Sequence, residues 1–133
     1  MIRFTAVFFA AIFLLTPQNV FAQGAANASP PPAEFFTEMQ DIPLVPGIRE
    51  VIDQTVTFDK PEGRIVESVA EIESGDSESV TKAYEETLPQ LGWAKISDNL
   101  YTREAESLAL NFERYEGRNF VRIMVRPKDD ILN

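Results

Sequence analysis

The sequence predicts an α+β domain, an antiparallel sheet of about five or six strands in the order ββ-α-βββ packed on a single helix. Three observations carry that expectation. Residues 54–72 alternate apolar and polar side chains on either side of a Pro-Gly turn. Val80, Tyr84, Leu88 and Leu91 recur at spacings of four, four and three. Beyond Trp93, alternating runs separated by turn residues continue to Pro127. A period of two marks strands and a period near 3.6 marks a helix, so the order of elements can be read from the change of period.

The chain opens with "MIRFTAVFFAAIFLLTPQNVFAQG": a positive charge at Arg3, an apolar run from Phe4 to Leu15, a helix-breaking Pro17, then Val20-Phe21-Ala22. This is the layout of a secretory signal peptide, with cleavage expected after Ala22. The apolar run is about 12 residues, short of the about 20 needed to cross hydrocarbon, which disfavours a retained anchor. The chain is therefore expected to be exported, periplasmic or secreted, with no stable membrane span in its mature part. Loss of residues 1 to 22 removes Arg3 and no acid, so 12 basic and 21 acidic residues become 11 and 21, and the net charge moves from −9 to −10. Such a chain is repelled by phosphate backbones and anionic lipid, so nucleic acid is not an expected partner. The absence of Cys leaves stability to the core alone. About 110 mature residues suffice for one core and not for two domains.

Gln23 to Ala33 reads "QGAANASPPPA" and is expected to be a flexible, Pro-rich linker, with residues 34–133 forming the single domain. Next comes "EFFTEMQDIPLVPGIREV", in which Phe35, Phe36 and Met39 fit one face of a short helical turn and Pro43 and Pro46 favour extended backbone at Ile42 and Val45. So apolar and irregular a stretch needs a surface to lie on. It either straps across the protein's own sheet or docks on another protein, with Phe35, Phe36, Met39 and Leu44 as the contact candidates.

"QTVTFD", the turn "KPEG" and "RIVESVAEIE" form a hairpin. Val66, Ser68, Ala70 and Ile72 share one face of its second strand, and Ile65, Glu67, Val69 and Glu71 the other. In "SGDSESV", Asp76 or Ser77 can cap the helix and Glu78 lies near the positive end of its dipole. Pro89 should distort the last turn, Gly92 can take the left-handed conformation that ends it, and Trp93 begins the returning strand as a cap on the core. "WAKIS", "LYTRE", "SLALNFERY" and "NFVRIMVRP" then form a meander with turns at Asp98-Asn99 and Glu116-Gly117-Arg118.

The chain contains no His and no Cys, which removes the usual general base, the thiol nucleophile and nearly all transition-metal ligand sets. Its six glycines form no phosphate-binding spacing, and no cofactor is expected. Glu67, Glu71 and Glu73 invite comparison with the paired carboxylates of glycoside hydrolysis, but such a stripe is more often a solvated sheet face. "ESGDSES" lacks the alternating ligands and closing glutamate of a calcium loop. Arg103, Arg114, Arg118, Arg122 and Arg126 face the acidic hairpin, either paired with Glu67 and Glu71 across the sheet or forming a patch for an anionic ligand.

At "FFTEMQDIPLVPG", "FDKPEGRIVE" and "LPQLGW" followed by "LYTRE", the chain resembles a family of small exported alphaproteobacterial proteins without assigned function. The resemblance runs from about Phe35 to Pro127. It implies export and one compact domain, and it carries over no catalytic or binding residue. The expected role is a non-enzymatic binding domain, a monomer or weak homo-oligomer, contacting another envelope protein through Phe35 to Val45 or an exposed sheet edge. The alternative is a small-ligand or peptide module with a pocket between helix and sheet near Tyr84, Trp93 and Tyr101.

Overall fold

The computed structural model describes residues 33–131. The signal-peptide and most of the linker expectations lie outside them. The described residues form an α+β domain with one antiparallel sheet and one α-helix, in the expected order. The strands are β1 (Ile48–Glu50), β2 (Val56–Lys60), β3 (Gly63–Ile72), β4 (Ala94–Ser97), β5 (Leu100–Arg103), β6 (Glu106–Tyr115) and β7 (Arg118–Pro127), and α1 (Ser77–Thr87) joins β3 to β4. Strand β1 is an addition to the expected set, a short segment hidden in "GIREV". The sheet order is β1-β3-β7-β6-β5-β4, with β2 also paired to β3. Strands β1 and β2 occupy successive stretches of β3, Ile48 opposite Ile72 and Val56 opposite Glu67. Pairing of β3 with β7, Val66 opposite Val125, joins the first hairpin to the end of the meander.

Strand alternation gives the sheet an inner and an outer face. Val66, Ala70, Ile72, Tyr101, Leu108, Leu110, Val121, Ile123 and Val125 point inward and form one buried cluster with Val80, Tyr84 and Leu88 of the helical segment. Asp76 caps α1, its carboxylate accepting from the Ser79 N–H at 2.9 Å while the Ser79 hydroxyl accepts from the Asp76 N–H at 2.9 Å. That reciprocal pair satisfies donors that every helix start leaves open. Pro89 ends the α-helical geometry: Leu88–Leu91 is a 3-10 turn, and Gly92 follows at φ 87°. Leu91, the last member of the expected stripe, is exposed, because the tighter turn rotates it away from the face that Leu88 holds. Trp93 is buried at the start of the return, as expected.

The segment from Phe36 to Val45 straps across the inner face. Phe36, Met39, Ile42 and Val45 all belong to the buried cluster. The expected helical turn at Phe35 to Met39 is corrected: the segment is a loop closed on itself, with Phe36 N–H donating to the Ile42 carbonyl at 3.2 Å and Leu44 N–H to the Glu34 carbonyl at 2.8 Å. An isolated bridge between Phe35 and Pro43 closes it further. Helical geometry would put Phe35, Phe36 and Met39 on one side, whereas the loop buries Phe36 and Met39 and turns Phe35 outward.

Candidate functional site

The residues singled out from the sequence divide between the core and the surface. Tyr84, Trp93 and Tyr101 are brought together in the buried cluster. The Tyr84 hydroxyl donates to the Pro43 carbonyl at 2.9 Å, pinning the strap to α1, and burial pushes its pKa far above the ordinary phenol range. Trp93 Nε1 and the Tyr101 hydroxyl are buried with no hydrogen-bond partner among the described residues. None of these three side chains lines the surface depressions around Asp41, Phe112, Ile52 or Val69. Of the strap candidates, Phe36 and Met39 are fully buried, Leu44 packs partly buried against the cluster, and Phe35 is 45% exposed.

One end of the inner face carries a polar cluster that local sequence does not announce. Glu106 faces Pro127 on β7 and Arg103 on β5 by register, Arg64 reaches the same end from β3, and Asp41 descends on it from the strap. Arg64 donates through Nε to Glu106 at 2.8 Å and through Nη2 to Asp41 at 2.9 Å. Arg103 also donates to Asp41, and its guanidinium lies 4.3 Å from the Trp93 ring centroid. Burial alone would raise the Asp41 pKa; hydrogen bonds from Arg64 and Arg103 outweigh it and hold the carboxyl below its ordinary range. Two cations and two anions balance here, so the cluster is a latch for the strap. The neighbouring depression of about 500 Å³, lined by Thr37, Glu38, Gln40, Asp41 and Arg64, is open to solvent.

The outer face differs at its two ends. Around β1 and the β6–β7 turn it is a lattice of ion pairs: Arg49 with Glu71 at 3.3 Å and Glu73 at 2.6 Å, Arg118 with Glu71 at 3.3 Å, and Arg122 with Glu67 and with Glu113 at 2.7 Å. The cross-sheet pairing of arginines with Glu67 and Glu71 is thus present. These carboxylates are occupied by arginines rather than arranged as an acid and a base. Toward β2 the face turns apolar. Val56 and Phe58 stand there 44% and 60% exposed, and Phe58 lies opposite half-buried Ile65, with Met124 opposite Glu67 on the next strand pair. Helix α1 and the strap both lie on the inner face, while on the outer face Val69 and Phe120 are buried near Gln54 of a short 3-10 turn, Ile52–Gln54, and Val56 and Phe58 stay exposed.

In the sequence Val56 and Phe58 are ordinary members of an alternating strand. The available signal was that both sit on the wet face beside a two-residue turn. No described helix is long and apolar enough to cross a membrane. No protein-family model, no curated protein and no solved structure matches this chain.

Proposed function

We propose that this is an exported, non-enzymatic binding domain that contacts another envelope protein through the β2 end of its outer sheet face. One observation carries the reading: Val56 and Phe58 are large apolar side chains exposed side by side on the same face of an edge strand. Exposed apolar residues in a contiguous patch, next to an unpaired strand edge, are what strand-adding and face-docking partners use. The strap is a weaker contact surface, since its burial, the Tyr84 bond and the Asp41 latch commit it to the core. Export is supported by the charged, apolar and small-residue layout of residues 1 to 22 and by the resemblance to small exported proteins. Lack of His and Cys, with Glu67 and Glu71 held by arginines, supports a role without catalysis.

The test is a photoreactive phenylalanine analogue at position 58 of the exported protein, with the exposed turn residue Glu104 as control site. A discrete cross-linked product from position 58 and none from 104 is expected. No product from position 58, and none with the analogue moved to position 56, would overturn the reading. A second reading, a small-ligand module between helix and sheet, draws on the buried Trp93 Nε1 and Tyr101 hydroxyl that lack partners. Native mass spectrometry of the protein taken from its own compartment decides it, because a mass equal to the bare chain would leave that reading without a ligand.

A further inference from the structure

Among the described residues four arginines stand on the outer face, and their partners set one of them apart. Arg49, Arg118 and Arg122 are each paired with glutamates. Arg126 makes no ion pair among the described residues, and its Nε is buried without a hydrogen-bond partner. By register it faces Ser107 on β6, two positions beyond Met124 on its own strand, beside the row in which Phe58 pairs with Ile65. The buried Nε is closed to a docking partner, so an incoming anion pairs with the outer guanidinium N–H groups, which make no ion pair among the described residues. Apolar neighbours strengthen such a pair by excluding water.

We propose that the outer face between Phe58 and Arg126 binds an acidic, apolar peptide segment of another protein, its carboxylate on the Arg126 guanidinium and its apolar side chain on Phe58 and Ile65. The inference rests on the reading that this face is the contact surface, and it names the partner's chemistry. Charge selects the occupant. A second copy laid face to face would bring Arg126 no free acid, because Glu67, Glu71 and Glu113 of that face are already paired. An anionic lipid surface meets the whole chain's net charge of −9, whereas a short acidic segment meets only the surroundings of Arg126, whose facing glutamates are already paired. Geometry narrows the segment further. Strands β2 and β7 lie two strand spacings apart, about 10 Å, so the apolar group and the carboxylate must be separated by that distance. An amphipathic helix crossing the strands provides it with side chains about two turns apart.

The experiment titrates the exported protein, labelled for nuclear magnetic resonance, with a stapled alanine-rich helix carrying Phe and Glu about seven residues apart, and with its Gln twin. The Glu peptide is expected to shift Ile65, Met124 and the Arg126 side-chain resonances and to bind about fivefold more tightly than the Gln peptide. In R126Q that preference should vanish, and R126K should restore it only in part, since an ammonium lacks the planar fork. F58S should weaken both peptides equally. Equal binding of the two peptides, a preference that survives R126Q, or no shift on this face would overturn the proposal. Shifts with vesicles containing phosphatidylglycerol in place of the peptides would assign the patch to a membrane and overturn it too. If cross-linking from position 58 persists unchanged in R126Q, the arginine inference fails while the contact surface stands. Loss of cross-linking in the unaltered chain removes the surface itself.

Discussion

The two faces of this sheet are cut from the same strands, residue by residue, and they have been put to different uses. On the inner face nearly every side chain of β3, β6 and β7 is buried under α1 and the strap. On the outer face the alternate residues of those strands give an ion-pair lattice with Val69 and Phe120 buried among it at one end, and an exposed apolar patch with an unpaired arginine at the other. The inner face illustrates how a cysteine-free domain of this size holds together: apolar area removed from water supplies the driving force, and one irregular segment is recruited to complete the cover. The outer face shows what the same alternation leaves over. Its ion pairs are mostly solvent-exposed and contribute little each, so that face is free to vary in ways the core is not.

Substitutions can break that contrast. Trp93→Ala should cost about 3–5 kcal/mol of stability, whereas Phe58→Ala should stay within about 0.5 kcal/mol, both read from urea unfolding. Comparable costs at the two positions would mean that the outer patch is core after all. Met39→Ala tests the strap, and as a fully buried side chain it should lose about 2–5 kcal/mol. A loss below about 0.5 kcal/mol would detach the strap from the fold.

Smaller effects sharpen the contrast. Tyr84→Phe keeps the ring and removes the donor to the Pro43 carbonyl, which should cost about 1–3 kcal/mol. Asp41→Asn should cost about 1 kcal/mol at neutral pH, a discounted figure for a partly solvated latch. Its pH dependence has a definite sign. The folded Asp41 carboxyl titrates below its ordinary value, so its contribution is fully present above about pH 4 and disappears as pH falls through the lower folded value. The urea midpoints of the two proteins should therefore differ at pH 7 and converge in strong acid; a constant gap would show that the carboxylate's charge is not what holds the latch.

Much of the fold was legible because periodicity is local. The strands of the meander, the Asp76 cap and the Pro89-Gly92-Trp93 exit from the helix are each encoded within a few residues, and each is present. Strand β1 was not legible, since a three-residue strand offers no period to read. The strap was legible as a segment that needs a surface, yet not which phenylalanine it would bury, because a loop has no fixed side-chain period. Within the Asp41, Arg64, Arg103 and Glu106 latch, the bond from Arg103 to Asp41 spans 62 positions, so only the register of the sheet assembles it. The same holds for Arg126: its lack of a partner follows from which carboxylates β3 and β6 deliver to Arg122.

Amide hydrogen exchange on the protein alone tests most directly the claim that the strap belongs to the core and the working surface lies on the other face. Phe36, Ile42 and Leu44, whose amides are hydrogen-bonded within the strap, should be protected on the scale of β3 and β7, with β2 exchanging faster. Fast exchange at all three strap amides beside a protected sheet would contradict the account and return the contact surface to the segment from Phe35 to Val45.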